Sequence, residues 1–324
     1  MSEKESMDNI SNTYSGNNSK TGNGIHAEKT IAASIIAVVV IWAAILLIDY
    51  SGNIEGELSA EGNKIPATME VGDTITFGTY NDEAIEWRVL KLSDDGKEAV
   101  LISKKLLCMK AYDAAESGKF SYDKEGNLYL SGSAADIDWQ LQVQVRGNSD
   151  WSLSNIRTWL NSSDEVVKYE DQAPVAAAMS EGHNAYSNEP GFLYGFTKQE
   201  MELIKEVENV TAGNGLSGQE AIVTKDKVYL LSLEELKWFE DADMSLLAEP
   251  TQKAVANDGT KWYWYDRQIY SVKTYYWWLR EPVKEASGKC YTVGSGKEEE
   301  NIYKKNVAME GFGIRPAITI YVGK

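Results

Sequence analysis

The chain has 324 residues, with 32 lysines and arginines against 49 aspartates and glutamates and a net charge of −17. So acidic a balance excludes nucleic acid and anionic lipid headgroups as main partners, because both demand a basic footprint. Two histidines and two cysteines likewise exclude a zinc site built from several histidines and a disulfide framework.

Residues 1–29 are rich in Ser, Asn and Gly and nearly free of large apolar groups. They cannot bury enough surface to fold and are expected to form a disordered tail. Residues 30–49 hold the run IAASIIAVVVIWAAILLI from Ile31 to Ile48, where Ser34 is the one polar side chain. Eighteen residues at about 1.5 Å each give roughly 27 Å, the hydrocarbon thickness of a bilayer, so this run is expected to be a transmembrane helix. A cleaved signal peptide would start near the N-terminus and end in small residues, whereas some thirty mostly polar residues precede this run and Asp49-Tyr50-Ser51 follows it. Lys29 flanks one side while Asp49, Glu55 and Glu57 flank the other, which places the N-terminus in the cytoplasm and the remainder outside the cell. Residues 50–70 are a polar, Gly-containing stalk, and residues 71–324 are long enough for one sizeable ectodomain. Without the charges of the tail, the rest of the chain still carries 29 basic against 45 acidic residues.

Within the ectodomain, alternation predicts strands at residues 73–77, 85–90 and 99–102, joined by turns at Asn81-Asp82 and Asp94-Asp95-Gly96, hence an antiparallel meander. Residues 113–150 are Gly-, Ser- and Asp-rich and read as a long loop. Residues 154–160 (SNIRTWL) place Ile156, Trp159 and Leu160 on one helical face. Thr197-Lys198-Gln199-Glu200 is a capping box followed by Met201, Ile204 and Val207 at helical spacing, and Ser232-Leu233-Glu234-Glu235 starts a second boxed helix after a strand at 227–231. Residues 241–273 read as irregular, and strands at 275–279 and 314–322 close the chain. Short strands, few helices and long loops with no βαβ rhythm predict an α+β fold around a twisted antiparallel sheet.

Candidate sites are sparse. In the ectodomain His183 stands alone, so nucleophilic devices that need a histidine have one choice, in a loop. Cys108 and Cys290 could form one disulfide in an oxidising compartment or remain two buried thiols. Asp136 with Asp138, and Glu240 with Asp241 and Asp243, are acidic pairs of the kind a glycoside hydrolase holds across a cleft, and equally of the kind that solvated turns carry. No EF-hand spacing, metal site or cofactor motif is present. The most suggestive feature is aromatic: nine Trp and Tyr residues fall between Trp262 and Trp278. Trp262, Tyr263, Trp264 and Tyr265, with Arg267 beside them, lie in the irregular stretch, where four adjacent rings cannot all face inward. They are the candidate binding residues for a glycan, a cell-wall component or a protein.

Several segments together resemble a known bacterial family. They are Ile75-Thr76-Phe77-Gly78-Thr79-Tyr80, Ile85-Glu86-Trp87-Arg88-Val89-Leu90, Leu101-Ile102-Ser103, Ser154-Asn155-Ile156-Arg157-Thr158-Trp159-Leu160-Asn161, Val228-Tyr229-Leu230-Leu231-Ser232-Leu233-Glu234-Glu235, Trp277-Trp278-Leu279-Arg280 and Gly313-Ile314-Arg315-Pro316-Ala317. In that order they resemble DUF6273, a domain of unknown function common on Gram-positive cell surfaces, from Val71 to Val322. The resemblance marks Trp87, Arg157, Trp159, Trp278, Arg280 and Arg315 as structural motif positions, the arginines bonding backbone carbonyls or acids such as Glu86. A cluster of these arginines lining a pocket for an anion is the alternative. The closing WWLR and GIRPA are similar to the C-type-lectin-like group that includes formylglycine-generating enzymes, which implies a C-type-lectin-like ectodomain. Two departures restrict the likeness to fold. Cys290 lacks the second cysteine of that oxidase chemistry, and Glu281-Pro282-Val283 lacks the oxygen-bearing third residue of a calcium-dependent lectin. The expectation is a membrane-anchored extracellular binding module without cofactor or metal. An extracellular carboxylate-based hydrolase and a structural ectodomain of a membrane complex are the alternatives.

Overall fold

The computed structural model describes residues 65–114, 147–169, 179–214, 220–284, 286, 288–296 and 301–323. The expected tail, the apolar run at 31–48, most of the stalk, and Asp136 with Asp138 lie outside the described residues. Among those described, no helix is long and apolar enough to cross a membrane.

The fold is α+β. Strands β1 (Thr74–Tyr80), β2 (Glu83–Leu92) and β3 (Glu98–Ser103) form the expected antiparallel meander. In β2 the alternation buries Ile85, Trp87 and Val89 while Glu86 faces water. The β1–β2 turn consists of Asn81 (φ 51) and Asp82 (φ 59), the left-handed pair that a two-residue hairpin needs. Within β1 the register shifts between Thr76 and Thr79 around Gly78 (φ +67). A side chain there would meet the Phe196 ring at 2.2 Å, so glycine is required for packing as well as for φ.

The chain end completes this sheet. Strand β13 (Ala317–Tyr321) pairs antiparallel with β3 along one edge and shares its other edge between the short strands β5 (Ile204–Lys205) and β8 (Val228–Tyr229). Covered on both faces, β13 is nearly continuous apolar sequence. The expected strand at 314–322 is therefore two pieces, broken at Arg315-Pro316, because proline cannot donate to a ladder. The first piece, β12 (Gly313–Ile314), belongs to a second sheet, whose order is β11 (Ile302–Asn306), β10 (Lys289–Val293), β9 (Trp277–Pro282), β12 and β4 (Cys108–Met109). One pairing in it, β12 with β9, is parallel. Strand β9 is central. Trp277, Trp278, Leu279 and Arg280 are all buried, and the two indoles donate to Leu246 O and Lys110 O.

Helices are short. Helix α1 (Asn155–Leu160) is capped by Ser154. Helix α2 (Lys198–Leu203) carries the full Thr197–Glu200 capping box, but ends earlier than expected, since Ile204 starts β5 and Val207 starts β6 (Val207–Ala212). Packing against β13 overrides the helical spacing there. The second box forms its reciprocal bonds, Ser232 N to Glu235 and Glu235 N to Ser232 Oγ, ahead of a 3-10 turn and α3 (Lys237–Asp241). The stretch expected to be irregular holds two helices, α4 (Gln252–Asn257) and α5 (Trp262–Tyr270).

Strand β6 pairs with β7 (Ala221–Asp226) as a separate two-stranded ribbon. Its inner face is mostly polar, with Asn209, Thr211, Thr224 and Asp226 buried around Ile222. Such a face is stable only if every polar group finds a partner.

The cysteines do not pair. Both are free, buried thiols. Cys290 sits on β10 and Cys108 on β4, three strand positions away in the same sheet. That separation is about 14 Å, whereas a disulfide needs its Cα atoms within about 7 Å.

Candidate functional site

The aromatic segment resolves into helix α5, and helical geometry answers what adjacency in sequence left open. Successive residues turn by about 100°, so four consecutive rings must spread around the axis. Trp262 packs against Phe312 at 5.9 Å, and its indole donates to Glu181 Oε2 at 3.0 Å. Tyr263 is buried, meets Tyr275 edge to face at 5.3 Å and donates to Lys273 O at 2.9 Å. These two anchor the helix. Trp264 and Tyr265 point outward, 50% and 55% exposed, and touch edge to face at 5.2 Å. Ile269, one turn beyond Tyr265, and Tyr270 extend the exposed ridge to 68% and 54%. Arg267 is exposed on the same helix, one turn beyond Tyr263. Of the five candidate residues, three therefore face solvent and two belong to the support beneath.

A second site shares only Cys108 with the sequence candidates. A cavity of about 200 Å³ opens beside the β1–β2 turn. Four separate parts of the chain wall it: Tyr80 with Asn81, Cys108 through Lys110, Asn184 and Ala185 with Glu189, and Ala254 with Asn257 and Asp258 at the end of α4. Lys110 lies at its base. The Lys110 ammonium meets Glu189 Oε1 at 2.6 Å and sits 4.4 Å and 5.2 Å from the ring centres of Tyr186 and Trp159. Burial disfavours a lone ammonium, and the carboxylate and two ring faces together supply what water would. Burial also raises the Glu189 pKa above that of a free glutamate, against the pull of Lys110.

The remaining walls are pinned from behind. The Asn184 amide donates to Asp258 Oδ1 and to Glu310 O, both at 2.9 Å, and its oxygen accepts from Gly259 N. Asp258 further accepts from Thr260 N and Oγ1. Glu310, fully buried, accepts from the backbone of Glu181 and His183, which fixes the loop that carries Asn184. Tyr80 and Cys108 both line the cavity. Burial pushes the Tyr80 phenol well above its ordinary pKa and the Cys108 thiol up to about 12. A thiol so shifted is not a thiolate at neutral pH and offers no nucleophile.

The motif arginines sit elsewhere, and Glu86 is partner to none of them; it pairs with Lys104 on the surface. Arg157 binds Asp226 beneath the ribbon at 2.6 Å. Arg280 makes a two-pronged contact to Glu235, at 2.5 and 2.9 Å, and donates to Leu230 O and Thr211 Oγ1. Arg315 donates to Ser103 O and Leu246 O between the faces of Phe239 and Trp277. They do not converge on one anion pocket. Trp87 and Trp159 are buried, donating to Phe77 O and Pro190 O. His183 is exposed, its ring against Gly259. Glu240, Asp241 and Asp243 lie at the surface on and after α3. Among the described residues no three His, Cys, Asp or Glu side chains gather where they could hold a metal ion.

Sequence reasoning missed the cavity because its walls come from segments as far apart in the chain as Tyr80 and Asp258. The one available signal was Lys110, a lysine directly after the apolar stretch 106–109.

A family model described as a domain of unknown function, DUF6273, matches residues 125–322. The match starts later than Val71, so β1 through β4 precede it, although β3 and β4 pair with strands inside it. No curated protein and no solved structure matches the chain.

Proposed function

From the premise that this chain belongs to the DUF6273 family, we propose that it is a non-catalytic binding module, held outside the cell by one N-terminal membrane span, that recognises a glycan of the bacterial cell wall. The observation that carries the reading is helix α5. Trp262 and Tyr263 lock it to the core, so that Trp264, Tyr265 and Tyr270 stand exposed on a rigid support. Two-torsion aromatic side chains offer large flat faces at little entropic cost, and their polar tips keep such faces soluble. Sugar rings present matching apolar C–H faces. The C-type-lectin-like resemblance of the closing WWLR and GIRPA segments agrees with this reading, as analogy of fold alone. The 18-residue apolar run at 31–48 and the acidic balance beyond it support the anchored, exported arrangement.

The test is retention of the full chain, in lipid nanodiscs, on an array of wall polysaccharides, peptidoglycan fragments and unrelated proteins. Retention on a glycan, lost at least about tenfold in Trp264→Ala/Tyr265→Ala with the fold intact, supports the proposal. Retention only on proteins moves the ridge to protein recognition, which the exposed Ile269 would then explain. No retention on any surface leaves the structural-ectodomain reading.

One observation favours a hydrolase, namely Glu189 with a raised pKa in the same cavity as Asp258. Glu189 is committed to Lys110, and Asp258 is filled by Asn184 and Thr260, so neither carboxylate stands free as acid or nucleophile. Release of sugar from any wall polymer, abolished by Glu189→Gln, would establish the enzyme instead.

A further inference from the structure

We infer that the cavity between the β1–β2 turn, β4 and the end of α4 is a subsite for one neutral, hydroxyl-bearing ring, a single sugar residue of the glycan; this rests on the proposed glycan-binding function and adds where one residue is read and by what chemistry. Size sets the first bound. About 200 Å³ lies below the several hundred that drug-sized ligands and cofactors occupy, and suits one ring.

Charge sets the second bound. The base presents Lys110, which can only donate, bonded to Glu189, which accepts as a carboxylate. A ligand carboxylate placed against this pair would be drawn to Lys110 but pressed against Glu189 and Asp258. A ligand ammonium would meet the reverse conflict. A hydroxyl both donates and accepts, so it satisfies both members at once. Asn81 and Asn257, whose amides also carry both functions, line the rim in keeping with that requirement. Met109, Ala185 and Ala254 supply apolar wall for the C–H face of a ring.

Preorganisation comes third. Asn184 and Asp258 are held by bonds to Gly259, Thr260 and Glu310, so little ordering is left for the ligand to induce. The same bonds run on to the aromatic helix. Thr260 Oγ1 donates to Asp258 and accepts from Trp262 N at 3.2 Å, which couples the cavity wall to the first turn of α5.

Saturation-transfer NMR on the full chain in nanodiscs tests this, with methyl glucoside and N-acetylglucosamine as neutral probes and glucuronate and glucosamine as charged ones. The neutral rings are expected to bind, with each charged analogue about tenfold weaker. Asn257→Trp, a substitution at an exposed rim position, and Ala185→Trp at the wall should each weaken binding about tenfold at an unchanged thermal midpoint. Trp264→Ala/Tyr265→Ala should keep it. The inference is overturned if a charged analogue binds as well as the neutral rings, if both plugging variants bind normally, or if no neutral ring binds. Failure here with polymer retention still dependent on Trp264 and Tyr265 leaves the proposed function standing. Binding of single rings without any polymer retention sinks the ridge and keeps the subsite.

Discussion

Arg157 Nε donates to Asp226 Oδ1 at 2.6 Å across sixty-nine residues of chain. Asp226 is the hub of the polar face beneath the β6–β7 ribbon, because its other oxygen accepts from Trp151 Nε1 at 3.0 Å, Asn209 Nδ2 at 2.9 Å and Thr224 Oγ1 at 2.7 Å. The ribbon is thus fastened to α1 and the turn before it by one carboxylate rather than by an apolar seam.

Replacing that hub should be costly. Asp226→Ala strands four donors and leaves Arg157 without its partner, for an expected loss of about 3 kcal/mol; the quarter exposure of Arg157 keeps it at the low end of buried-pair losses. Urea unfolding should show a lower midpoint with an unchanged slope. A loss under about 1 kcal/mol would show that water replaces the network.

The Lys110–Glu189 pair should behave as a coupled unit. Lys110→Met keeps the stem between Trp159 and Tyr186 but leaves a mostly buried carboxylate unpaired, at an expected cost of about 3 kcal/mol at pH 7. Lys110→Met/Glu189→Leu should recover most of it. A double variant no more stable than Lys110→Met alone would contradict this account of the pair.

Stability should fall as pH rises above 4.5. Burial raises the carboxyl pKa of Glu189, and likewise of Glu281, above the 4.5 of a free glutamate. The folded state then holds these protons more tightly than the unfolded chain, so their contribution is complete below 4.5 and is lost as pH climbs through the raised values. Asp95 has the opposite sign. Ser93 and Lys97 hold its pKa down from 3.8 to about 2, and its contribution disappears as pH drops through that interval. Thermal midpoints measured across pH should decline less above 4.5 in Glu189→Gln, and less below 3.8 in Asp95→Asn.

Both thiols should be silent in the native protein. Cys108 is raised to about 12 and Cys290 well above its ordinary value, each by burial. A disulfide-exchange reagent at pH 8 should label neither until urea is added, and then two per chain without reductant. No free thiol on unfolding would reveal a disulfide.

The strands that were legible in the sequence are those where one face meets water. Ile85, Trp87 and Val89 alternate with Glu86, and β2 follows directly. The Thr197–Glu200 box was equally plain, since its bonds span three residues. Where the signal misled, a distant partner had intervened. Ile204 and Val207 sit at helical spacing after Met201, yet β13 takes Ile204 into its ladder. The four rings from Trp262 to Tyr265 do not all face inward, as their adjacency implied, but what decided their sides was Phe312, Tyr275 and Glu181, none of them helix neighbours.

The sequence by itself determined the apolar run at 31–48, the acidic balance, the meander, the helix caps and the family motifs, because each is written within a few residues or in the totals. Tertiary structure decided which two of four adjacent aromatics face solvent, that Cys108 and Cys290 lie three strands apart, and that Lys110 ends up buried against Glu189 at the base of a cavity. These depend on chain closures over tens to hundreds of residues. Propensity and periodicity act only between near neighbours, so a site assembled from four remote segments leaves no local trace.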